Sequence, residues 1–315
     1  MKRVKWVTGL ALALGMLTSP LLAAGVPKNL PYPQGTPTAD EIAKQVYFVN
    51  HFYAVDNFSI KRVSKKEITV ILSRSQGQKP KSNTVERHLN NKYSDGVVKA
   101  QDIAIFRSGK LRGTGMLITD FEDDNKSQAY SIWLPALRKI RRFAQPAHDD
   151  SWGGTDFTFG DVTLRKPHHE THELLGTEAF NSCLMSMELS KKNKYKKRIH
   201  GPDCGPKGKE VYKLKSTTKF SNWWYDHRIS YIDTKTFGDY RTEYFKDGKQ
   251  IKIIDRAWTT MNIDDPRGLW WRYWYGKNLT TDHETMASIP DAVAEFNTNR
   301  KKKFWSEKTL RKIKR

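Results

Sequence analysis

Beyond residue 25 no apolar stretch reaches the about 20 residues that a membrane-spanning helix needs, so nothing after that point reads as a transmembrane helix. The chain also lacks a Gly-x-Ser-x-Gly elbow and a glycine-rich phosphate loop, two of the most legible enzyme signatures. It shows no internal repeat and no second compositional domain. Cysteine is confined to Cys183 and Cys204, far from the N-terminus, which argues against a lipid anchor. Acid is the last shortage: 34 Asp and Glu stand against 55 Lys and Arg, for a formal charge of +21.

What is present begins with an address. Residues 1–25 carry Lys2, Arg3 and Lys5, then an apolar run from Val7 to Leu17, then the small residues Ala23, Ala24 and Gly25. That is the order of a secretory signal peptide, and its apolar run is too short to remain across roughly 30 Å of hydrocarbon. Cleavage is expected near Ala24, leaving residues 26–315 as one exported domain, with +18 once the three leader cations are taken from +21. Such an excess in a cytoplasmic protein would point to nucleic acid. Export removes that partner, so the expected counterparts are lipid headgroups, an anionic membrane surface or an acidic protein dock.

Export also frames the two cysteines. Between them lie Lys191, Lys192, Lys194, Lys196, Lys197 and Arg198. In an oxidising compartment a Cys183–Cys204 disulfide closing this basic loop insertion is expected, with a pair of buried thiols as the alternative.

Periodicity supplies the elements. Thr36 to Glu41 holds a cap candidate, a proline and early acids, and Ile42, Val46, Val49 and Tyr53 follow at helical spacing, predicting a helix over 38–53. From Val55 the period becomes two, and alternating runs at 84–93, 98–108, 112–121, 128–134 and 139–143 predict consecutive antiparallel strands. Later strands are expected at 211–217, 225–232, 241–245, 251–261 and 269–279, with Asp247-Gly248 as a hairpin turn and a short helix within 304–313. Leu174 to Glu188 is ambiguous between helix and strand. Together these read as one β-rich domain with few helices.

Few residues suggest chemistry. His168, His169 and His172 make the best metal candidate, but the order departs from the zinc-protease pattern, and a solvated polar stretch is the simpler reading. No metal ligand set and no cofactor is assigned. Asp149-Asp150 and Asp264-Asp265 read as turns, because adjacent side chains on extended backbone point apart. Thr155 or Asp156 is expected to cap a short helix and Asp161 to pair with Arg141 or Arg142. With 10 Trp and 12% aromatics, the chain has the material for bulky walls. Trp271, Tyr273 and Tyr275 should share one strand face and Trp270, Arg272 and Trp274 the other; Trp223-Trp224 and Trp258 leave open the same choice between core and pocket.

One stretch ties these together. Residues 130–162 run from a strand ended by Pro135, through the basic strand Lys139 to Phe143, into Gly153-Gly154-Thr155-Asp156-Phe157. The order WLPALRKIRR followed by SWGGTDFTFGDV closely resembles the signature of LolA-like outer-membrane lipoprotein-sorting proteins, in the branch found beside resistance-nodulation-division transporters. The likeness extends through Gly113-Thr114-Gly115 and the closing 304–310 segment. It implies a curved antiparallel sheet, an incomplete β-barrel covered by helices, in a Gram-negative periplasm. It further implies a carrier of lipid or of lipoprotein acyl chains, working by partition rather than catalysis and supplied by or supplying such a transporter. On this reading Ile132, Leu134, Ile140, Phe143, Trp271 and Tyr273 line the cavity, and Arg138, Arg141 and Arg142 meet a headgroup or the transporter. A periplasmic adaptor that carries no lipid and an envelope hydrolase are the other readings.

Overall fold

Helix α1, Ala39–Asn50, starts where its cap dictates. Thr38 accepts from the Glu41 backbone N–H at 3.3 Å while the Glu41 carboxylate accepts from the Thr38 N–H at 2.7 Å, a reciprocal box that satisfies two otherwise orphaned donors. The computed structural model describes residues 25–313; the leader expected over residues 1–25 lies, save Gly25, outside the described residues.

The rest of the chain is mostly strand. The first group is β1 (Asn57–Ile60), β2 (Thr69–Ser75), β3 (Lys81–Asn90), β4 (Val98–Phe106), β5 (Gly115–Phe121), β6 (Ala129–Leu134) and β7 (Lys139–Phe143). After an irregular stretch come β8 (Glu170–Ala179), β9 (Glu210–Thr218), β10 (His227–Asp233), β11 (Asp239–Lys246), β12 (Lys249–Thr260), β13 (Leu269–Asn278), β14 (His283–Ser288) and β15 (Ala294–Phe296). Helix α2, Glu307–Arg311, closes the chain. The strands form one open antiparallel sheet in the order β7-β6-β5-β4-β3-β2-β14-β13-β12-β11-β10-β9-β8, with β1 pairing β3 and β15. Asp247 and Gly248 both take positive φ, 49° and 72°, as a two-residue hairpin between β11 and β12 requires.

Alternation along the strands gives the sheet two faces, and each has its own cover. The inner face is covered by α1, by Phe52 and Val55, and by residues 144–169, which run across it with a single π-turn at Gly160–Leu164. One helix and an irregular segment thus do what several helices were expected to do. The outer face is covered by residues 180–209, whose Phe180, Leu184, Met187 and Leu189 pack on Val70, Leu72, Tyr273 and Met286. Farther along the same face Trp305 and Leu310 pack on Ile103, Ile105 and Leu117, and the Trp305 indole donates to the His88 carbonyl at 2.7 Å. Cys183 and Cys204 are bonded, tying the first outer cover to itself.

Candidate functional site

The inner-face site is set by a break in alternation on β13. Trp271 opposes Trp258 and Tyr273 opposes Ala257, so Arg272 is an extra residue, a β-bulge. A bulge inverts which side chains face which way. Trp271 therefore joins Trp274 on the inner face, 5.5 Å away ring to ring, and packs edge-on against Phe52 at 5.5 Å and Phe58 at 6.1 Å. Tyr273 and Tyr275 stay on the outer face under residues 180–209, where Tyr273 stacks on His200 at 5.9 Å. The expectation that Trp271 and Tyr273 share a face is corrected by this one residue.

Residues 144–169 close over the aromatic wall. Phe157 stands edge-on to Trp274 at 5.3 Å. It fits because β13 carries Gly276 there: a Cβ at that position would lie 2.8 Å from the Phe157 ring. Trp224 packs on the Gly160 backbone in the same way, 4.4 Å from Trp223, and Tyr225 and Tyr244 continue the wall at 5.2 Å. Four indole N–H groups of this cluster, on Trp223, Trp224, Trp271 and Trp274, are buried and bond to no protein atom. An unsatisfied buried donor costs about 1–3 kcal/mol, and four in one cluster are a concentration that packing alone does not require.

Beneath the wall runs a layer of buried ion pairs. Asp161 accepts from Lys252 Nζ and from the Tyr244 hydroxyl, both at 2.6 Å, and from Arg165 at 3.3 Å. Burial opposes its ionisation, but Lys252 and Arg165 outweigh burial and hold it well below the usual carboxylate range. Glu170 accepts two bonds from Arg228, at 2.9 and 2.7 Å, and one from Tyr225 at 2.8 Å. Burial again opposes and Arg228 prevails, leaving Glu170 at about 2. Tyr225 is pushed by burial to about 12, and His51 by burial down to about 3. Arg256, over the Trp274 ring, pairs with Asp239. Asp161 thus pairs with neither Arg141 nor Arg142. Asp156 caps no helix: it accepts from Thr285 Oγ1 and His283 Nδ1, each at 2.7 Å, and so clasps the segment to β14. Thr155 is taken up in its own turn, and Thr158 and Asp161 exchange backbone-to-side-chain bonds at the π-turn.

The remaining hollow between α1, the π-turn and β8 measures about 60 Å³ and is lined by charged groups, among them Asp161, Arg165, Glu170 and Arg228. At 10–15 Å³ per water it holds a few waters and not an acyl chain. This hollow is therefore not the open apolar cavity expected from the sequence.

The other expected site residues are dispersed. Ile132 packs on the inner face near Phe159 and Leu164, whereas Ile140 lies on the outer face beside Trp133 and Trp305. Leu134 borders a shallow hollow with Lys110 and Arg112, and Phe143 is exposed at the sheet edge. Arg142 makes a two-pronged pair with Glu307 of α2 at 2.9 and 3.1 Å; Arg138 and Arg141 are exposed. His172 turns to Ser216 and the Pro167 carbonyl, away from His168 and His169. His169, beside His148 and His168, is pushed by burial down to about 3. Phe157, Phe52, Trp274 and Gly276 belong to the site but were not singled out as cavity residues; a glycine inside an aromatic strand was the available signal.

The fold recurs in solved structures. A domain described as an outer membrane lipoprotein-sorting protein, from Vibrio parahaemolyticus, superposes with a TM-score of 0.63 at 14% identity, over 87% of this chain and 98% of that one. The chain has a LolA-like fold. A DUF1329 family protein from Desulfovibrio piger gives 0.63 at 13% identity over 87% and 100% of the two chains. A LolA superfamily protein from Nitrosomonas europaea gives 0.53 at 12% identity, again over 87% and 100%. In sequence, a family model described as "uncharacterized protein" matches residues 99–201, and no curated protein matches. The LolA-like fold thus extends over most of the chain, while residues 99–201 include the whole of the 144–169 segment.

Proposed function

We propose that the chain is a periplasmic carrier of acyl chains, from lipid or from acylated lipoprotein, and that residues 144–169 are a displaceable plug over its binding site. The four unpartnered indole N–H groups carry this reading. An acyl ester or amide supplies what the closed cluster lacks: an apolar chain for the ring faces and carbonyl acceptors for the donors. The fold shared with a lipoprotein-sorting domain and a LolA superfamily protein supports it, and the disulfide fits an oxidising compartment.

The mechanism is partition. Burying a chain of about 14 methylenes is worth on the order of 11 kcal/mol at ~0.8 kcal/mol each, which offsets lifting Phe157, Phe159 and Val162 off the wall. No catalytic group and no cofactor enters. Arg138 and Arg141, at the β7 edge, are assigned to a headgroup or to an inner-membrane transporter of the resistance-nodulation-division type; Arg142 is engaged by Glu307. The adaptor reading has one observation of its own: β7 is a sheet edge flanked by exposed Leu137 and Phe143, a surface that a partner strand could extend.

Native mass spectrometry and tryptophan fluorescence with a lysophospholipid test the assignment. Wild type should bind and change its emission, and Phe157→Ala, which weakens the plug, should bind more tightly, because less of the closed state must be displaced. If neither folded protein captures the acyl ligand, the carrier reading fails.

A further inference from the structure

Between its two covers the outer face leaves a strip of sheet open, and this strip is a basic groove. Its centre is a hollow of about 480 Å³ bounded by Arg62, Lys65, Arg107, Arg112 and Arg198, with no carboxylate in its wall. Through Tyr195 and Arg198 it continues into a hollow of about 760 Å³ that adds Lys66, Lys194 and Lys197. Through Arg62 and Arg107 it continues into another of about 510 Å³ that adds Lys61, Arg300 and Lys312. Eleven cations line this track against Glu67 and Glu86.

Most of this charge is not neutralised within the protein. Glu86 is committed to Arg107, and Glu295, outside the groove, to Lys61 and Arg300. Among the described residues Arg62, Lys65 and Arg112 form no ion pair. Arg198 donates one bond, to the Lys66 carbonyl at 3.0 Å, while its Nε is buried and bonds to no protein atom. Cations this dense repel one another, yet the wall is held in place. Tyr195 shares a 2.6 Å hydrogen bond with Ser82, His200 shares one of 2.9 Å with Ser288, and the disulfide ties the segment that carries them.

We propose that this groove binds an extended phosphate-bearing polyanion, a linear chain of phosphates, independently of acyl carriage on the inner face. Guanidinium groups pair two-pronged with phosphate oxygens, and four of the five central cations are arginines. A walled groove accepts a thread rather than a plane, which separates this ligand from a flat membrane. Single-stranded nucleic acid would need open aromatic faces for its bases. Here the Tyr195 ring has Arg198 at 5.6 Å and Lys194 at 5.0 Å, and the Phe304 ring has Arg300 at 4.5 Å.

Calorimetric titration of the intact exported chain with a short linear polyphosphate is the test. Binding should weaken steeply with salt, and the triple variant Arg62→Gln, Lys65→Gln, Arg112→Gln should lose roughly tenfold or more in affinity. The triple Lys44→Gln, Lys235→Gln, Lys249→Gln removes equal charge from exposed positions elsewhere and should lose less than about twofold. Arg198→Gln alone should weaken binding with an unchanged melting transition. Equal losses in the two triples would mean general charge attraction and would overturn the site. So would orthophosphate binding as well as polyphosphate at equal phosphate concentration. Phosphatidylglycerol vesicles held through Arg62, Lys65 and Arg112, without polyphosphate binding, would replace the proposal with a membrane dock.

Discussion

Two long stretches without α-helix cover the two faces of one sheet, and they are fastened in opposite ways. Residues 180–209 are held by a disulfide and by Phe180, Leu184, Met187 and Leu189 packed on the outer face. Residues 144–169 have no covalent tie; Asp156 clasps Thr285 and His283, and Asp161 clasps Lys252 and Tyr244. Both covers bury apolar side chains, Phe157, Phe159 and Leu164 on the inner face among them. Only the outer one is also tied covalently, and the carboxylates and ammonium groups that clasp the inner one can be satisfied by water once it lifts. The outer cover is therefore a lock and the inner one a clasp, and the proposed carriage is assigned to the inner side.

The sharpest way to break that contrast is to put a charge under the lock. Tyr273→Glu would sit at a position 1% exposed in the outer core. It should cost several kcal/mol and abolish the cooperative melt, opposite to the outcome expected if Tyr273 lined an open cavity. A normal melt would show that the outer cover is loose. Next in size is the disulfide. Reduction frees a loop spanning 21 residues and should cost roughly 3 kcal/mol, read as a lower denaturation midpoint in reductant; labelling of denatured, unreduced protein should find no free thiol.

The smallest effect is acid sensitivity, and it belongs to the inner face. His51 is held neutral with a folded value of about 3, below its ordinary 6.5, so its contribution is complete above pH 6.5 and is lost as pH falls toward 3. Glu170, lowered from 4.5 to about 2, adds a loss that begins only below pH 4.5. Between pH 6.5 and 5.5 His51 alone should remove about 1 kcal/mol of stability. His169, also held at about 3 by burial, adds a loss over the same window. His51→Gln should therefore shrink the fall, His51→Gln with His169→Gln should shrink it further, and both should leave the loss below pH 4.5.

Much of the frame was legible because it is local. The cap candidate, proline and early acids of Thr36 to Glu41 announced α1, and alternation announced β4, β6, β7 and β9 through β13 within a few residues. The disulfide followed from export and two cysteines. β14, with the polar sequence His-Glu-Thr-Met-Ala-Ser, gave no alternation to read, because its neighbours on both sides rather than its own apolar residues hold it. β15 is three residues long and was not legible. Leu174 to Glu188 was ambiguous because a strand ends within it and the outer cover begins. The site was less legible still. The bulge at Arg272 lies in a run that is bulky and aromatic at adjacent positions, so no break in alternation shows that Trp271 and Tyr273 part company. The groups that fasten Asp156 and Asp161 to the sheet lie more than 80 residues away, on β11, β12 and β14, where spacing along the chain says nothing about them.

Hydrogen exchange followed by mass spectrometry, on the wild-type chain with and without a lysophospholipid, tests the central claim most directly. The account predicts that ligand accelerates exchange in residues 144–169 while residues 180–209 keep their protection. Unchanged or increased protection of 144–169 at saturating ligand, or release of 180–209 instead, would contradict it.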